Sequence, residues 1–153
     1  MAVDEASDRV RGMLEQIADA AGVDADVEVH VEDGGIVAEY VGDDLGLLIG
    51  RHGQTIDAIQ HLAYRIATPG DGDRVSVVVD AAGYRERRAE TLRQAGDQAA
   101  EAAVAGGRPV PLQAMSALER KVIHEHLKGR RGIETYSEGQ EPSRRLVVAP
   151  LVH

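Results

Sequence analysis

The fold of this chain is decided by the stretch Leu45-Gly46-Leu47-Leu48-Ile49-Gly50-Arg51-His52-Gly53-Gln54-Thr55-Ile56-Asp57-Ala58-Ile59-Gln60. It predicts a short apolar turn of helix, a loop bounded by two glycines, and a second helix beginning near Gln54, because Ile56 and Ile59 recur at helical spacing. Neither loop glycine has a Cβ, so the backbone can take positive φ and approach a bulky ligand closely. We therefore expect a loop with Arg51 and His52 at its tip.

The loop and the start of the second helix together form a candidate anion site. The first N–H groups of a helix are unpaired and carry the positive end of its dipole, which suits a nucleic-acid phosphate. A glycine-rich turn without a ligand is the alternative. The same Gly-x-x-Gly spacing recurs at residues 129–132, but without the flanking isoleucines, and there it predicts a turn. The candidate binding residues of this site are Gly50, Arg51, His52, Gly53 and Gln54.

The run Ile49-Gly50-Arg51-His52-Gly53-x-x-Ile56-x-x-Ile59 resembles the signature of the KH domain, whose loop of this type clamps the backbone of about four nucleotides. Around it, the pattern predicts a helix over residues 4–21, a hairpin of strands over 27–31 and 36–41, a helix ending near residue 67, a turn over 68–72 and a strand over 74–80. This order resembles the bacterial type II KH arrangement, an α+β fold with a three-stranded sheet and helices on one face. The resemblance implies an aliphatic groove for bases, formed by Leu48, Ile49, Ile56 and the strand around Val77.

Composition limits the function classes. The chain has 153 residues, no cysteine, no phenylalanine, no tryptophan and four tyrosines. Without cysteine, neither disulfides nor a thiolate site is expected, and a reducing cytoplasm suits the protein. No apolar run approaches the length of a membrane span, so membrane insertion is not expected. The scarcity of aromatic rings argues against a platform that stacks several bases, as in RRM or OB folds.

The formal net charge of -9 argues at first against a nucleic-acid ligand, but the charge is unevenly distributed. Residues 1–45 contain 13 acidic and 2 basic residues, whereas residues 81–153 contain 9 acidic and 12 basic residues. This distribution is compatible with one face that binds nucleic acid on a protein whose remaining, acidic surface repels it.

Residues 82–105 predict one long helix, whose first turns carry Arg85, Arg87 and Arg88. Positive charge is unfavourable at a helix N-terminus. Either a bound phosphate or local pairing with Glu86 and Glu90 would explain the placement, and the sequence leaves both open.

Residues 115–127 predict a further helix, in which Ser116 is the N-cap and Glu119 completes a capping box. Arg120 and His124 are four residues apart and share a face, whereas His124 and His126 point apart. The spacing predicts an Arg/His pair presented together and argues against a His-x-His metal site, so neither a metal nor a cofactor is expected. The side chains predicted to face inward are Leu118, Val122, Ile123 and Leu127.

The pattern Arg120-x-x-x-His124 resembles the motif of the R-3-H domain, a small module that binds single-stranded nucleic acid. Its surroundings strengthen the resemblance: Tyr84-Arg85-x-x-Arg88 precedes it, and Thr135-x-Ser137-Glu138-Gly139-x-Glu141-Pro142-x-Arg144 follows. With the KH unit upstream, the chain resembles the Jag (KhpB) family of bacterial proteins over about residues 9–150. The resemblance implies a KH domain over residues 1–81 and a small α/β R-3-H domain over residues 82–153, closed by strands over 133–136 and 146–149. Many family members carry a further N-terminal domain, whose functions are not carried over to this chain.

The resemblance and the residues together predict a non-catalytic protein that binds single-stranded RNA, with single-stranded DNA left open as the ligand. The glycine loop would clamp the backbone, and further phosphates would meet Arg85, Arg88, Arg120, His124, Arg144 and Arg145. The resemblance implies a post-transcriptional regulator or RNA chaperone linked to cell-envelope growth, partnered by a small single-KH protein.

Two other classes stay open. An assembly module with weak RNA affinity would keep the same fold. An RNA hydrolase using His52, His124 or His126 has less support, because there is no Walker-type lysine, no cysteine nucleophile and no metal-ligand spacing.

Overall fold

A computed structural model describes residues 2–68, 70 and 72–152 of the chain. The chain divides into two compact units, residues 1–85 and residues 86–153. The first residues of the long helix are thus grouped with the first unit, and the domain boundary predicted after residue 81 stays a prediction. The turn predicted over residues 68–72 includes residues 69 and 71, which lie outside the described residues.

The first unit contains three helices and three strands in the predicted order. The elements are α1 (Ala2–Ala21), β1 (Asp26–Glu32), β2 (Gly35–Val41), α2 (Gly46–Ile49), a 3-10 turn (Arg51–Gly53), α3 (Gln54–Ala67) and β3 (Val77–Ala81). The third strand begins three residues later than predicted. Its first paired residue, Val77, lies opposite Ile36, and the Ile36 amide donates to the Ser76 carbonyl at 2.8 Å. Because β2 begins at Gly35, it is too short to pair with the residues before Ser76.

The sheet of the first unit has the strand order β1-β2-β3, with β1 antiparallel and β3 parallel to β2. Alternation along β2 buries Ile36, Ala38 and Tyr40, and α1 and α3 pack on this face through residues such as Leu14 and Ile59. The opposite face carries exposed side chains, among them Glu28, His30 and Val78. The three-stranded sheet with helices on one face is therefore confirmed.

The second unit is built around the small sheet β4-β6-β5, in which both pairings are antiparallel. Its elements are α4 (Tyr84–Gly106, of which the first two residues belong to the first unit), β4 (Val110–Pro111), α5 (Ala117–Leu127), β5 (Ile133–Glu138) and β6 (Arg145–Pro150). α4 packs closely on α5 because its inner face is made of small residues: a Cβ at Gly96 would lie 2.8 Å from the side chain of Ile123.

The predicted helix cap is present, but one predicted core residue is wrong. Ser116 Oγ accepts a hydrogen bond from the Glu119 amide at 3.3 Å, which is one half of the capping box, whereas the Glu119 carboxylate pairs with Arg88. Leu118 is 72% exposed, whereas Ile123 and Leu127 are buried. Arg120, which was not among the residues predicted to face inward, is buried, so the inward face of α5 is rotated away from Leu118.

Among the residues that the model describes, no helix combines the length and the apolar character needed to cross a lipid bilayer.

Candidate nucleic-acid interface

The glycine loop has the conformation that its sequence predicts. α2 ends at Ile49, Gly50 takes φ 74° and ψ -179°, and Gly53 takes φ 79° in the left-handed region immediately before α3. His52, between them, has φ 54°. Three of four consecutive residues thus have positive φ, which turns the chain sharply between the two helices.

Both glycines are also required by the packing of the loop itself. A Cβ at Gly50 would lie 2.9 Å from the backbone nitrogen of Thr55 and would overlap the Thr55 side chain. A Cβ at Gly53 would lie 2.6 Å from Cε1 of Tyr84, at the start of α4. Replacing either glycine therefore disturbs the loop before any ligand is considered, and a test of binding has to use other positions.

The loop presents its polar groups to solvent. Arg51, His52, Gln54 and Thr55 are all exposed. Gly53 caps α3 without a side chain, so no side chain satisfies the first N–H groups of this helix. Neither Arg51 nor His52 forms an ion pair within the described part of the chain. The predicted elements of the anion site are thus brought together at one exposed tip.

The apolar side chains next to the loop are placed differently from the groove that the resemblance implied. Leu48, Ile56 and Val77 are 1%, 0% and 7% exposed and belong to the hydrophobic core. Ile49 is partly buried, whereas the neighbouring Leu47 is 70% exposed. In this conformation Ile56 supports the loop from the core and cannot contact a base. The helical periodicity that singles out Ile56 is also the signature of a core residue.

The arginines at the start of α4 have carboxylate partners that neither sequence alternative named. Arg85 donates to Asp57 at 2.7 Å. Arg88 forms a two-pronged pair with Glu119, at 3.1 Å and 3.0 Å. The predicted partners Glu86 and Glu90 are both bound by Arg93. Arg85 and Arg88 thus pair with carboxylates on other helices, in addition to any local contact.

In the second unit, a shallow groove of about 310 Å³ lies between α5 and the β5-β6 hairpin. Arg120 and His124 both line it, as their spacing predicted, but they differ in exposure. Only 9% of the Arg120 side chain is exposed, and its guanidinium donates to the Met115 and Arg144 carbonyls and to Glu141 at 2.8 Å. His124 is exposed, and its Nδ1 lies 2.5 Å from Thr135 Oγ1. Arg120 therefore holds the groove together, while His124 faces the solvent.

The remaining predicted arginines lie along the same hairpin and are engaged locally. Arg144 donates to the Gly139 carbonyl at 2.6 Å, and Arg145 pairs with Glu138 at 3.1 Å. Both stabilise the connection between β5 and β6. Half of the Arg145 side chain (49%) stays exposed, so it can still meet a polyanion.

Sequence reasoning missed two residues of this groove, Lys121 and Tyr136. Lys121 is exposed and lines the groove beside His124, and Tyr136 is 42% exposed on its opposite wall. Lys121 could have been found, because Ala117, Lys121 and His124 fall on one face at helical spacing. Tyr136 could not, because its position across the groove depends on the fold. In the described ranges, no group of three histidines, aspartates or glutamates is arranged to hold a metal ion.

Comparison with known proteins identifies both units. The KH domain of the KhpA/KhpB family matches residues 7–79, and the R-3-H domain family matches residues 90–150. The "RNA-binding protein KhpB" of Lactiplantibacillus plantarum is 40% identical over 128 residues, which are 84% of this chain and 40% of that protein. Proteins of the same name from Clostridium symbiosum and Bacillus subtilis are 35% and 34% identical, over 93% and 89% of this chain. The chain spans 65% and 66% of the length of those two relatives.

Proposed function

The chain belongs to the KhpB family, with a KH domain and an R-3-H domain, and from that premise we propose that it binds single-stranded RNA and catalyses no reaction. The observation that carries the proposal is the exposed glycine loop. The uncapped start of α3 and the exposed residues Arg51 and His52 lie next to one another there, in a unit that is otherwise rich in acidic residues. A phosphate of an RNA backbone is the ligand that this set suits best.

The R-3-H groove supplies a second, weaker contact. Lys121 and His124 offer donors along one wall, and Tyr136 offers an apolar face on the other. Arg120 contributes by fixing the α5 helix against the hairpin, and Arg145 adds charge at the rim. Two weak sites on one chain raise the overall affinity through effective concentration when both engage the same strand.

RNA is favoured over DNA by the names of the relatives, each of which is called an RNA-binding protein. A cytoplasmic location and a role as a post-transcriptional regulator or RNA chaperone fit such a ligand. The link to cell-envelope growth and the partnership with a small single-KH protein follow from the family resemblance alone. Co-purification of this chain with such a protein would test the partnership directly.

The proposal is tested by measuring the affinity for labelled single-stranded RNA, single-stranded DNA and duplex RNA across a salt series. We expect tighter binding of the single strands, and a logarithmic affinity that falls linearly with the logarithm of salt concentration, since most contacts are to phosphate. Equal binding of duplex RNA would contradict the proposal.

The same RNA, incubated with the protein with and without divalent metal, tests the hydrolase alternative. Intact RNA is expected in both samples. Cleavage that depends on His52, His124 or His126 would replace the binding proposal with an enzymatic one.

A further inference from the structure

The first turn of α4 contacts both the glycine loop and the first turn of α3. Tyr84 packs against Gly53, since a Cβ added to this glycine would lie 2.6 Å from Tyr84 Cε1 and 3.2 Å from its hydroxyl oxygen. Arg85, the next residue, pairs with Asp57 in the first turn of α3. Both contacts lie within the compact unit of residues 1–85. The loop is thus supported by residues that follow the last strand of its sheet.

The guanidinium of Arg85 has little left to offer an RNA phosphate. Its Nε donates to the Val79 carbonyl at 2.9 Å, and Nη1 donates to Asp57 at 2.7 Å. Nη2 is buried and has no hydrogen-bond partner among the described residues. A nitrogen without solvent access cannot meet a phosphate unless the local structure opens. The pairing of Arg85 therefore argues against the direct phosphate contact that its position in the sequence suggested.

The position of Asp57 explains why its pairing with Arg85 matters for the anion site. Its carboxylate lies in the first turn of α3, beside the N–H groups that form the anion site, and 48% of its side chain is exposed. An unpaired carboxylate there would repel a phosphate and would compete with it for the positive end of the helix. Arg85 holds this carboxylate and compensates its charge.

We propose that Tyr84 and Arg85 are positioning residues of the glycine loop, acting on RNA only through Gly53 and Asp57. The Tyr84 ring packs against Gly53 and holds its backbone in place. Arg85 neutralises and orients Asp57, so that the start of α3 stays available to an anion. This inference rests on the proposed function, because it assumes that the loop binds RNA.

A double-mutant cycle on the full chain tests the role of Arg85. We expect Arg85→Gln to weaken binding of a single-stranded RNA roughly tenfold, a loss of the size seen for charge-assisted contacts. Asp57→Asn should bind at least as well as the unmodified chain. In the double variant, Asp57→Asn should restore affinity to within about twofold of the Asp57→Asn protein, because no carboxylate is left to compensate. An unchanged affinity for Arg85→Gln, or a loss that Asp57→Asn does not restore, would overturn the proposal.

Tyr84 provides a second test that does not depend on how Arg85→Gln folds. Tyr84→Phe keeps the ring against Gly53 and should bind RNA within about twofold of the unmodified chain. Tyr84→Ala removes the ring and should lose roughly tenfold. Thermal unfolding of both variants checks that the core is retained. Equal affinities for the two variants would contradict a positioning role for the ring.

The charge reversal Arg51→Glu, measured in parallel, separates this inference from the proposed function. If Arg51→Glu binds RNA as well as the unmodified chain, the loop is not the binding site, so the assignment of RNA binding to the loop and the positioning role both fail. If Arg51→Glu loses affinity while Arg85→Gln and Tyr84→Ala do not, only the positioning role fails. Loss in all three, with rescue by Asp57→Asn, is the result that we expect.

Discussion

Arg120 Nη2 donates to Glu141 Oε1 at 2.8 Å, which ties the middle of α5 to the connection between β5 and β6. The arginine side chain is almost fully buried, and its other donors reach the Met115 and Arg144 carbonyls. Arg120 therefore gives the R-3-H groove its shape, and the solvent-facing residues Lys121 and His124 are left to contact a ligand.

Replacing Arg120 is expected to cost stability first. Arg120→Ala removes the hydrogen bonds to the Met115 and Arg144 carbonyls and the ion pair with Glu141, and should lower the free energy of unfolding by about 2–3 kcal/mol. Glu141→Gln keeps an acceptor, and the Glu141 side chain is 57% exposed, so this substitution should cost about 1 kcal/mol or less. Urea unfolding of the two variants measures the difference. Equal and small losses of unfolding free energy in the two variants would show that Arg120 is not needed to hold α5 against the hairpin.

Lys121 is expected to contribute charge to binding without contributing to the fold. Lys121→Gln should reduce the slope of logarithmic RNA affinity against logarithmic salt concentration by about 0.7, the value for one phosphate contact with a single strand. Lys128→Gln, the same charge change on the exposed residue after α5, is the control and should leave the slope unchanged. If both variants or neither variant shifts the slope, Lys121 does not meet a phosphate.

Gly50 is expected to be more sensitive to substitution than a glycine that has positive φ but no close neighbours. Gly50→Ala combines backbone strain with overlap on Thr55 and should destabilise the protein by about 3 kcal/mol. Gly34 has φ 78° in the turn between β1 and β2, but nothing lies within 4 Å of an added Cβ. Gly34→Ala should therefore cost about 1 kcal/mol, from strain alone. Similar losses for the two glycines, measured by urea unfolding, would mean that the loop can move away from the added methyl group.

The free energy of unfolding is expected to fall at alkaline pH because of Tyr40. It is fully buried in the first unit, where its hydroxyl donates to the Leu14 carbonyl at 2.7 Å, and burial raises the pKa of its phenol from 10.0 to about 12. The pKa of Tyr40 is higher in the folded than in the unfolded state. Its contribution to the free energy of unfolding is therefore fully present below pH 10. It is lost as the pH rises towards 12, by about 2–3 kcal/mol in total.

The comparison with Tyr40→Phe isolates this effect. The variant lacks the hydrogen bond to Leu14 and should be less stable at neutral pH by about 1 kcal/mol. Its unfolding free energy should fall less steeply between pH 10 and pH 12 than that of the unmodified chain. Parallel curves for the two proteins would contradict a raised pKa for Tyr40.

Local signals in the sequence predict most of the fold and the exposed tip of the loop. The alternation in β1 and β2, the periodicity of α3 and the paired loop glycines each depend on neighbouring residues, and all are confirmed. The partners of the arginines are set by contacts between distant residues: Asp57 and Arg85 are 28 positions apart, and Arg88 and Glu119 are 31 apart. Helical spacing alone could not show that Arg120, rather than Leu118, turns inward, because which face of α5 is buried depends on the sheet beneath it.

The most direct test of the central claim is the RNA affinity of Arg51→Glu compared with that of Arg65→Glu. Both arginines are exposed and belong to the first unit, but Arg51 lies at the tip of the glycine loop, whereas Arg65 lies in the last turn of α3. If the loop binds the RNA backbone, Arg51→Glu should weaken binding of single-stranded RNA at least roughly tenfold, and Arg65→Glu by no more than about threefold. Equal losses in the two variants would show that binding follows overall charge and not the glycine loop, and would contradict the account.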